Sequence, residues 1–118
     1  MRILGFEKHW PKLDSPMFTT FRLPRKDADK GRDWKVGEIV QIVIRPRQKD
    51  RQPLCTAQII RKDMRDIIGI TDTDARVDGF PGGHEEMWQW LSGKYHLSLA
   101  KACDLHMNRL TLKRQGVL

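Results

Sequence analysis

Hydrophobic residues in the first half of the chain follow patterns that are typical of short β-strands. Ile3 and Leu4 predict a first strand, and the β-rich residues 17–23, which lie between two prolines, predict a second. Residues 39–44 are largely apolar at both odd and even positions, which indicates a strand buried on both sides. Residues 54–60 alternate after a polar loop, so the last two segments predict an antiparallel hairpin with a basic tip.

Helical spacing is confined to shorter segments. A turn or two is expected near residues 6–13, because one proline lies near its start and another beyond its end. A short helix that Thr71 or Asp72 can cap is expected to end at Gly79. Residues 85–95 predict a second helix, because their apolar side chains recur on one face.

The order of these elements indicates the fold class. Short strands predominate, a last strand is expected over residues 108–112, and no strand–helix–strand repeat appears. This order predicts an α+β fold, a small β-barrel with two or three short helices packed at its mouth. A length of 118 residues fits a single domain over residues 1–118.

The composition argues against several classes of protein. No apolar run approaches the roughly 20 residues of a membrane span, and the first ten residues lack the apolar core of a signal peptide. We therefore expect a cytoplasmic protein. Cys55 and Cys103 form no CxxC pair, which argues against a disulfide framework. No cofactor is expected, and no metal, because the histidines lack ligand spacing: His9, His84, His96 and His106.

Positive charge is concentrated in the middle of the chain. Residues 22–65 contain thirteen Lys and Arg against six Asp and Glu, a balance of +7, whereas residues 1–21 carry +1 and residues 66–118 carry −1. Such clustering attracts polyanions, with an affinity that falls steeply as salt rises. It predicts contact with RNA or a nucleotide; a basic face that only keeps the protein in solution is the alternative.

Four ordered motifs point to a family. They are FTTFR (18–22), WKVGEIVQI (34–42), the alternating strand 57–60 and DARVDGF (74–80). Together they resemble the ASCH family, a branch of the PUA-like fold, over about residues 3–113. The resemblance implies a PUA-like β-barrel with a cleft between strand and helices, and an association with RNA. Some members of the family hydrolyse the amide of an acetylated cytidine.

The resemblance also implies catalytic residues. In the enzymatic branch a Lys, a Thr and a carboxylate form the reactive group; the Thr corresponds to Thr20 and the carboxylate to Asp78. Met17 stands at the position of the Lys, and a thioether cannot take a proton from a hydroxyl. Hydrolysis is therefore predicted to be absent or very slow, unless Lys12 or Lys26 reaches the cleft from a neighbouring segment.

Basic and aromatic residues are the candidates for ligand contact. Thr20 and Arg22 share one face of their strand because side chains alternate. Arg22 can donate two hydrogen bonds to a phosphate or to a base edge, or it can form an ion pair with Asp78 or Asp74. Trp90 lies off the apolar face of its helix and can stack on a base or simply pack. The residues expected to bind RNA or a nucleotide are Arg22, Arg25, Lys26, Lys35, Arg45, Arg47, Arg61 and Trp90.

Three functions follow from these residues. The first, a binding module for RNA or a nucleotide, is favoured by Met17. The second is an amidohydrolase acting on a modified nucleoside, with Thr20 as nucleophile. The third is a protein-binding domain that docks a partner through the helix of Trp90.

Overall fold

Five strands form one mixed sheet in a computed structural model that describes residues 1–24, 31–96, 98 and 106–117. The order across the sheet is β1-β3-β4-β5-β2. β1 is parallel to β3, and the other neighbours are antiparallel. The strands are β1 (Arg2–Phe6), β2 (Met17–Arg22), β3 (Ile39–Ile44), β4 (Gln52–Asp66) and β5 (His106–Val117).

The sheet is open, with β1 and β2 at its two edges. No backbone ladder joins these edges within the described part of the chain, so the α+β class is confirmed and the closing of the sheet into a barrel is not observed. A side chain rather than a strand pairing bridges the gap: the Arg22 Nη2 of β2 donates to the Gly5 carbonyl of β1 at 2.6 Å. The local patterns that predict strands do not specify which edges pair, and this is where the prediction fails.

Both faces of the sheet are covered by apolar side chains. One cluster lies on one face and includes Leu4, Phe18, Ile42 and Leu110. The second cluster packs the helices against the other face. It includes Phe21 of β2 and Met107 of β5, together with Phe80, which follows α1, and Met87 and Leu91 of α2. Phe18 and Phe21 of β2 enter different clusters because successive strand residues point to opposite faces. The polar side chains of β2, an edge strand, are therefore likewise divided between the two faces of the sheet.

Short helices connect the strands. Within the described residues, 3₁₀ helices span Pro11–Asp14 and Ile67–Gly69, and the α-helices are α1 (Asp72–Val77) and α2 (His84–Tyr95). Thr71, one of the two predicted candidates, is the N-cap of α1, and it forms a capping box with Asp74. The predicted elements are confirmed, although β4 and β5 extend beyond the expected ranges. None of the described helices is long and apolar enough to cross a membrane.

Candidate functional site

A cleft lies where the edges of β1 and β2 face each other. Its inner pocket has a volume of about 40 Å³ and is closed on one side by α2. The side chains that line it come from the end of β1, the first 3₁₀ helix, β2, the turn after α1, and α2: Phe6, Glu7, Trp10, Lys12, Thr20, Phe21, Arg22, Asp78, Phe80, Met87, Trp90, Leu91, Lys94 and Tyr95. The open seam of the sheet is therefore the entrance to the candidate site.

A buried ion pair occupies the floor of the inner pocket. Lys12 Nζ lies 3.2 Å from Asp78 Oδ1, and the two side chains are only 11% and 5% exposed. Thr19 donates its hydroxyl proton to the same Oδ1 at 3.0 Å. Burial raises the pKa of the Asp78 carboxyl, although Lys12 opposes the shift. Burial likewise lowers the pKa of the Lys12 ammonium, against the attraction of Asp78.

The local structure explains why these groups meet. Asp78 is the C-cap of α1, and Gly79 follows with a φ of 113°, a conformation that L side chains rarely adopt. This turn directs the chain away from the helix while the carboxylate stays in the cleft. Lys12 is in the 3₁₀ helix Pro11–Asp14, whose Leu13 anchors it in the core.

Thr20 and Arg22 lie on the same face of β2, as predicted. Arg22 Nε donates to Thr20 Oγ1 at 3.4 Å, and its guanidinium carbon lies 4.6 Å from the centre of the Phe6 ring. Burial lowers the pKa of Arg22. Among the described residues Arg22 makes no ion pair with Asp78 or Asp74, so the alternative of a direct salt bridge is wrong. Lys12 is the partner of Asp78.

A wider outer groove continues from the inner pocket. Its volume is about 700 Å³. The two cavities share Phe6, Glu7, Arg22, Lys94 and Tyr95. Ile3, Gly5, Arg45, Pro46, Arg47 and Gln48 complete the groove. The cleft is thus a small inner pocket that opens past Arg22 into a groove of ligand size.

Positive charge exceeds negative charge at the junction of the two cavities. Lys94 Nζ lies 3.6 Å from Glu7 Oε1, a long and partly exposed pair. Burial lowers the pKa of Lys94, and the neighbouring Arg22 lowers it further. Three cationic side chains, with Lys12 as the third, therefore share two carboxylates. A ligand with negative charge would relieve their mutual repulsion.

Aromatic rings form one wall of the cleft. Trp10 and Trp90 meet edge to face at 5.1 Å, and Trp10 lies 5.4 Å from Phe80. Lys8 Nζ lies over the Trp10 ring, 3.9 Å from its centre. Trp90 packs against the second cluster and also lines the inner pocket, so its packing is observed and its stacking on a base stays a prediction.

Some of the residues predicted to act together meet in the cleft. Thr20, Asp78, Arg22 and Trp90 line the inner pocket, and Arg45 and Arg47 line the outer groove with Arg22.

Other predicted residues lie apart from it. Lys35, at the turn before β3, and Arg61, which pairs with Asp63 at 3.0 Å, line neither cavity. Met17 is 52% exposed and also lines neither. Arg25 and Lys26 lie outside the described residues.

From the sequence, Lys12 was only a possible substitute for the lysine missing at Met17, and Glu7, Trp10, Lys94 and Tyr95 were not identified as site residues. The one signal for Lys12 was its place in a proline-bounded turn next to strand β2. Lys94 and Tyr95 end α2, and nothing in helical spacing indicates that this end faces β1. Within the described ranges, no group of three His, Cys, Asp or Glu side chains is placed to hold a metal ion.

Comparisons with known proteins concern the fold. Neither a family model nor a curated protein matches the chain. The structure is similar to that of protein EF3133 from Enterococcus faecalis V583, which carries the family description DUF984, with a TM-score of 0.60 and 12% identity. The likeness covers 89% of this chain and 64% of the other, so the chain spans less than two thirds of that protein. At this identity the comparison shows a shared small α+β fold, and the ASCH resemblance stays an expectation from the motifs.

Proposed function

We propose that the cleft binds a nucleotide, either free or as part of an RNA chain. The observation that carries this proposal is the excess of buried positive charge around Arg22, at the point where the inner pocket meets the outer groove. Burying a charge without full compensation is costly, so such an arrangement favours an anionic ligand. Arg22 Nε and Nη2 donate to Thr20 and Gly5, and Nη1, which donates no hydrogen bond within the described residues, suits a phosphate oxygen or the edge of a base.

The dimensions of the cleft support the same ligand class. The outer groove, at about 700 Å³, falls within the roughly 300–1,000 Å³ of small-molecule sites. The inner pocket, at about 40 Å³, holds about three water-sized groups at roughly 10–15 Å³ each. A ring with its sugar and phosphate fits the groove, and only a small substituent fits the inner pocket.

A titration tests this proposal. Mononucleotides and short single-stranded and duplex RNAs are added at about 50 and 200 mM salt, and binding is followed calorimetrically. We expect binding that weakens with salt, most steeply for RNA because several phosphates are neutralised. Arg22→Ala should weaken binding by about tenfold or more, since a charge-assisted contact is lost. Arg61→Ala removes an equal charge outside the cleft and is the control. No detectable binding of any nucleotide or RNA at low salt would refute the proposal.

Hydrolysis of an acylated nucleoside is a second candidate function. The observation that favours it is the position of Lys12, 3.2 Å from Asp78, since the resemblance calls for a lysine near the carboxylate and Met17 cannot supply it. The lowered pKa of Lys12 increases its fraction of free amine, which is the form that accepts a proton. The inner pocket also has room for a three-atom acetyl group.

In this mechanism the Thr20 hydroxyl attacks the acyl carbon and gives its proton to Lys12 or Asp78. The carbon–nitrogen bond then breaks, the leaving amine takes a proton, and water releases the acyl group from Thr20. Incubation with acetylated cytidine, followed by chromatography, measures turnover. Turnover that disappears in Thr20→Ala and Lys12→Met but persists in Met17→Ala supports the enzyme. If the unmodified protein shows no turnover, the enzyme is refuted and the binding function remains. This is the result that the presence of Met17 at the lysine position predicts.

A further inference from the structure

The outer groove combines positive side chains with a single carboxylate. Arg22, Arg47 and Lys94 line it together with Glu7. Within the described part of the chain Arg47 has no ion-pair partner, whereas Lys94 has Glu7 at 3.6 Å. Glu7 is 59% exposed and Lys94 is 28% exposed, so solvent reaches both and their pairing is loose.

We propose that Arg22, Arg47 and Lys94 form a subsite for a terminal phosphate, and that Glu7 competes with this phosphate for Lys94. The inference rests on the proposed function and specifies its ligand: a nucleotide with a terminal phosphate, bound more tightly than the corresponding nucleoside. Glu7 is then a residue that limits affinity, because its carboxylate occupies the cation that the phosphate requires.

The inner pocket cannot be the phosphate subsite. Its floor contains the buried carboxylate of Asp78, which would repel a phosphate at short range. Its volume of about 40 Å³ is also too small for five heavy atoms if each group needs roughly 10–15 Å³. The phosphate therefore belongs on the outer side of Arg22, and the end of the ligand without charge belongs on the inner side.

The backbone around the groove supports this assignment. Arg45 has a φ of 48°, an uncommon conformation for this residue type, and its amide donates to the Phe6 carbonyl at 2.7 Å. Arg45 Nε also pairs with Asp50 at 2.9 Å. The chain is thus held at Arg45 while Arg47, two residues later, stays available to a ligand. Arg45 itself is occupied, and we assign it a positioning role.

The experiment compares cytidine with cytidine 5′-monophosphate in the unmodified protein and in four variants. We expect the monophosphate to bind about tenfold to hundredfold more tightly, as for one charge-assisted contact or two. Lys94→Met and Arg47→Ala should each remove most of this difference, measured as the ratio of the two affinities. Glu7→Gln should increase the ratio of monophosphate affinity to cytidine affinity about threefold to tenfold. Glu85→Gln, at the opposite end of α2, changes the net charge equally and is the control.

The outcomes separate this inference from the proposed function. Equal affinities for cytidine and its monophosphate would overturn the phosphate subsite while nucleotide binding stands. The role of Glu7 would be overturned if Glu7→Gln lowered the affinity for the monophosphate. It would also be overturned if Glu85→Gln raised this affinity as much as Glu7→Gln does. Failure of both ligands and of RNA to bind refutes the proposed function and the subsite with it. Thermal melting of each variant identifies a loss that comes from unfolding, and Arg47→Ala provides the test if Lys94→Met is unstable.

Discussion

The ion pair between Lys12 and Asp78 gives the sharpest test of how the site is built. We consider Asp78→Asn, which removes the negative charge and nearly preserves the volume of the side chain. Lys12 is then left 11% exposed, near the positive charge of Arg22. A surface ion pair contributes about 0–1 kcal/mol, but removing one member of a buried pair costs about 3–5 kcal/mol because the other charge is stranded.

The expected loss lies at the lower end of that range. The lowered pKa of Lys12 lets the stranded ammonium release its proton, which limits the cost. We therefore expect Asp78→Asn to lower the free energy of unfolding by about 3 kcal/mol, or the Tm by roughly 10 °C. Lys12→Met should cost about as much, because Asp78 keeps only the Thr19 hydroxyl. The double variant should cost less than the sum of the two by about 1–3 kcal/mol.

Urea denaturation of the four proteins, followed by tryptophan fluorescence, measures this cycle. Asp50→Asn is the control, since Asp50 pairs with Arg45 at 2.9 Å but is 64% exposed; it should cost less than about 1 kcal/mol. If Asp78→Asn and Asp50→Asn cost the same, or if the two cleft substitutions are additive, the buried pair does not organise the site and the reasoning is refuted.

Three further outcomes are expected. Carbon-13 labelling of lysine ε carbons should show Lys12 titrating below the ordinary lysine pKa of about 10.4. The unfolded chain then holds the Lys12 proton more tightly than the folded protein. The free energy of unfolding of the wild type should therefore rise relative to that of Lys12→Met as pH increases from the lowered pKa toward about 10.4. A Lys12 resonance that titrates at the ordinary lysine pKa would contradict this. Gly79→Ala should lower the free energy of unfolding by about 1–3 kcal/mol, because a φ of 113° strains any residue with a side chain. It should also weaken nucleotide binding, because the turn positions the neighbouring Asp78. Unchanged stability would mean that the turn does not require glycine. Gly5→Ala should lower the free energy of unfolding by about 1–3 kcal/mol, since a Cβ there would lie 2.6 Å from the Pro46 Cγ. Unchanged stability in the same assay would mean that Pro46 moves aside at no cost in free energy.

Features that depend on neighbouring residues were predictable from the sequence. The strand Ile39–Ile44 has the predicted bounds because an apolar β-branched run is a local signal. The N-cap Thr71 and the end of its helix before Gly79 follow from capping rules that act within a few residues. The shared face of Thr20 and Arg22 follows from strand alternation alone.

Features that depend on distant contacts were decided by the tertiary structure. Lys12 and Asp78 belong to different elements, and only the packing of a 3₁₀ helix against the turn after α1 brings them together. Lys94 and Glu7 likewise come from separate elements, and the strand order leaves β1 and β2 as open edges. Periodicity identifies strands and the faces of strands, but long-range pairing determines which edges meet and which buried charges become neighbours. The sequence by itself therefore determined the elements and part of the residue set, whereas the tertiary structure determined the cleft.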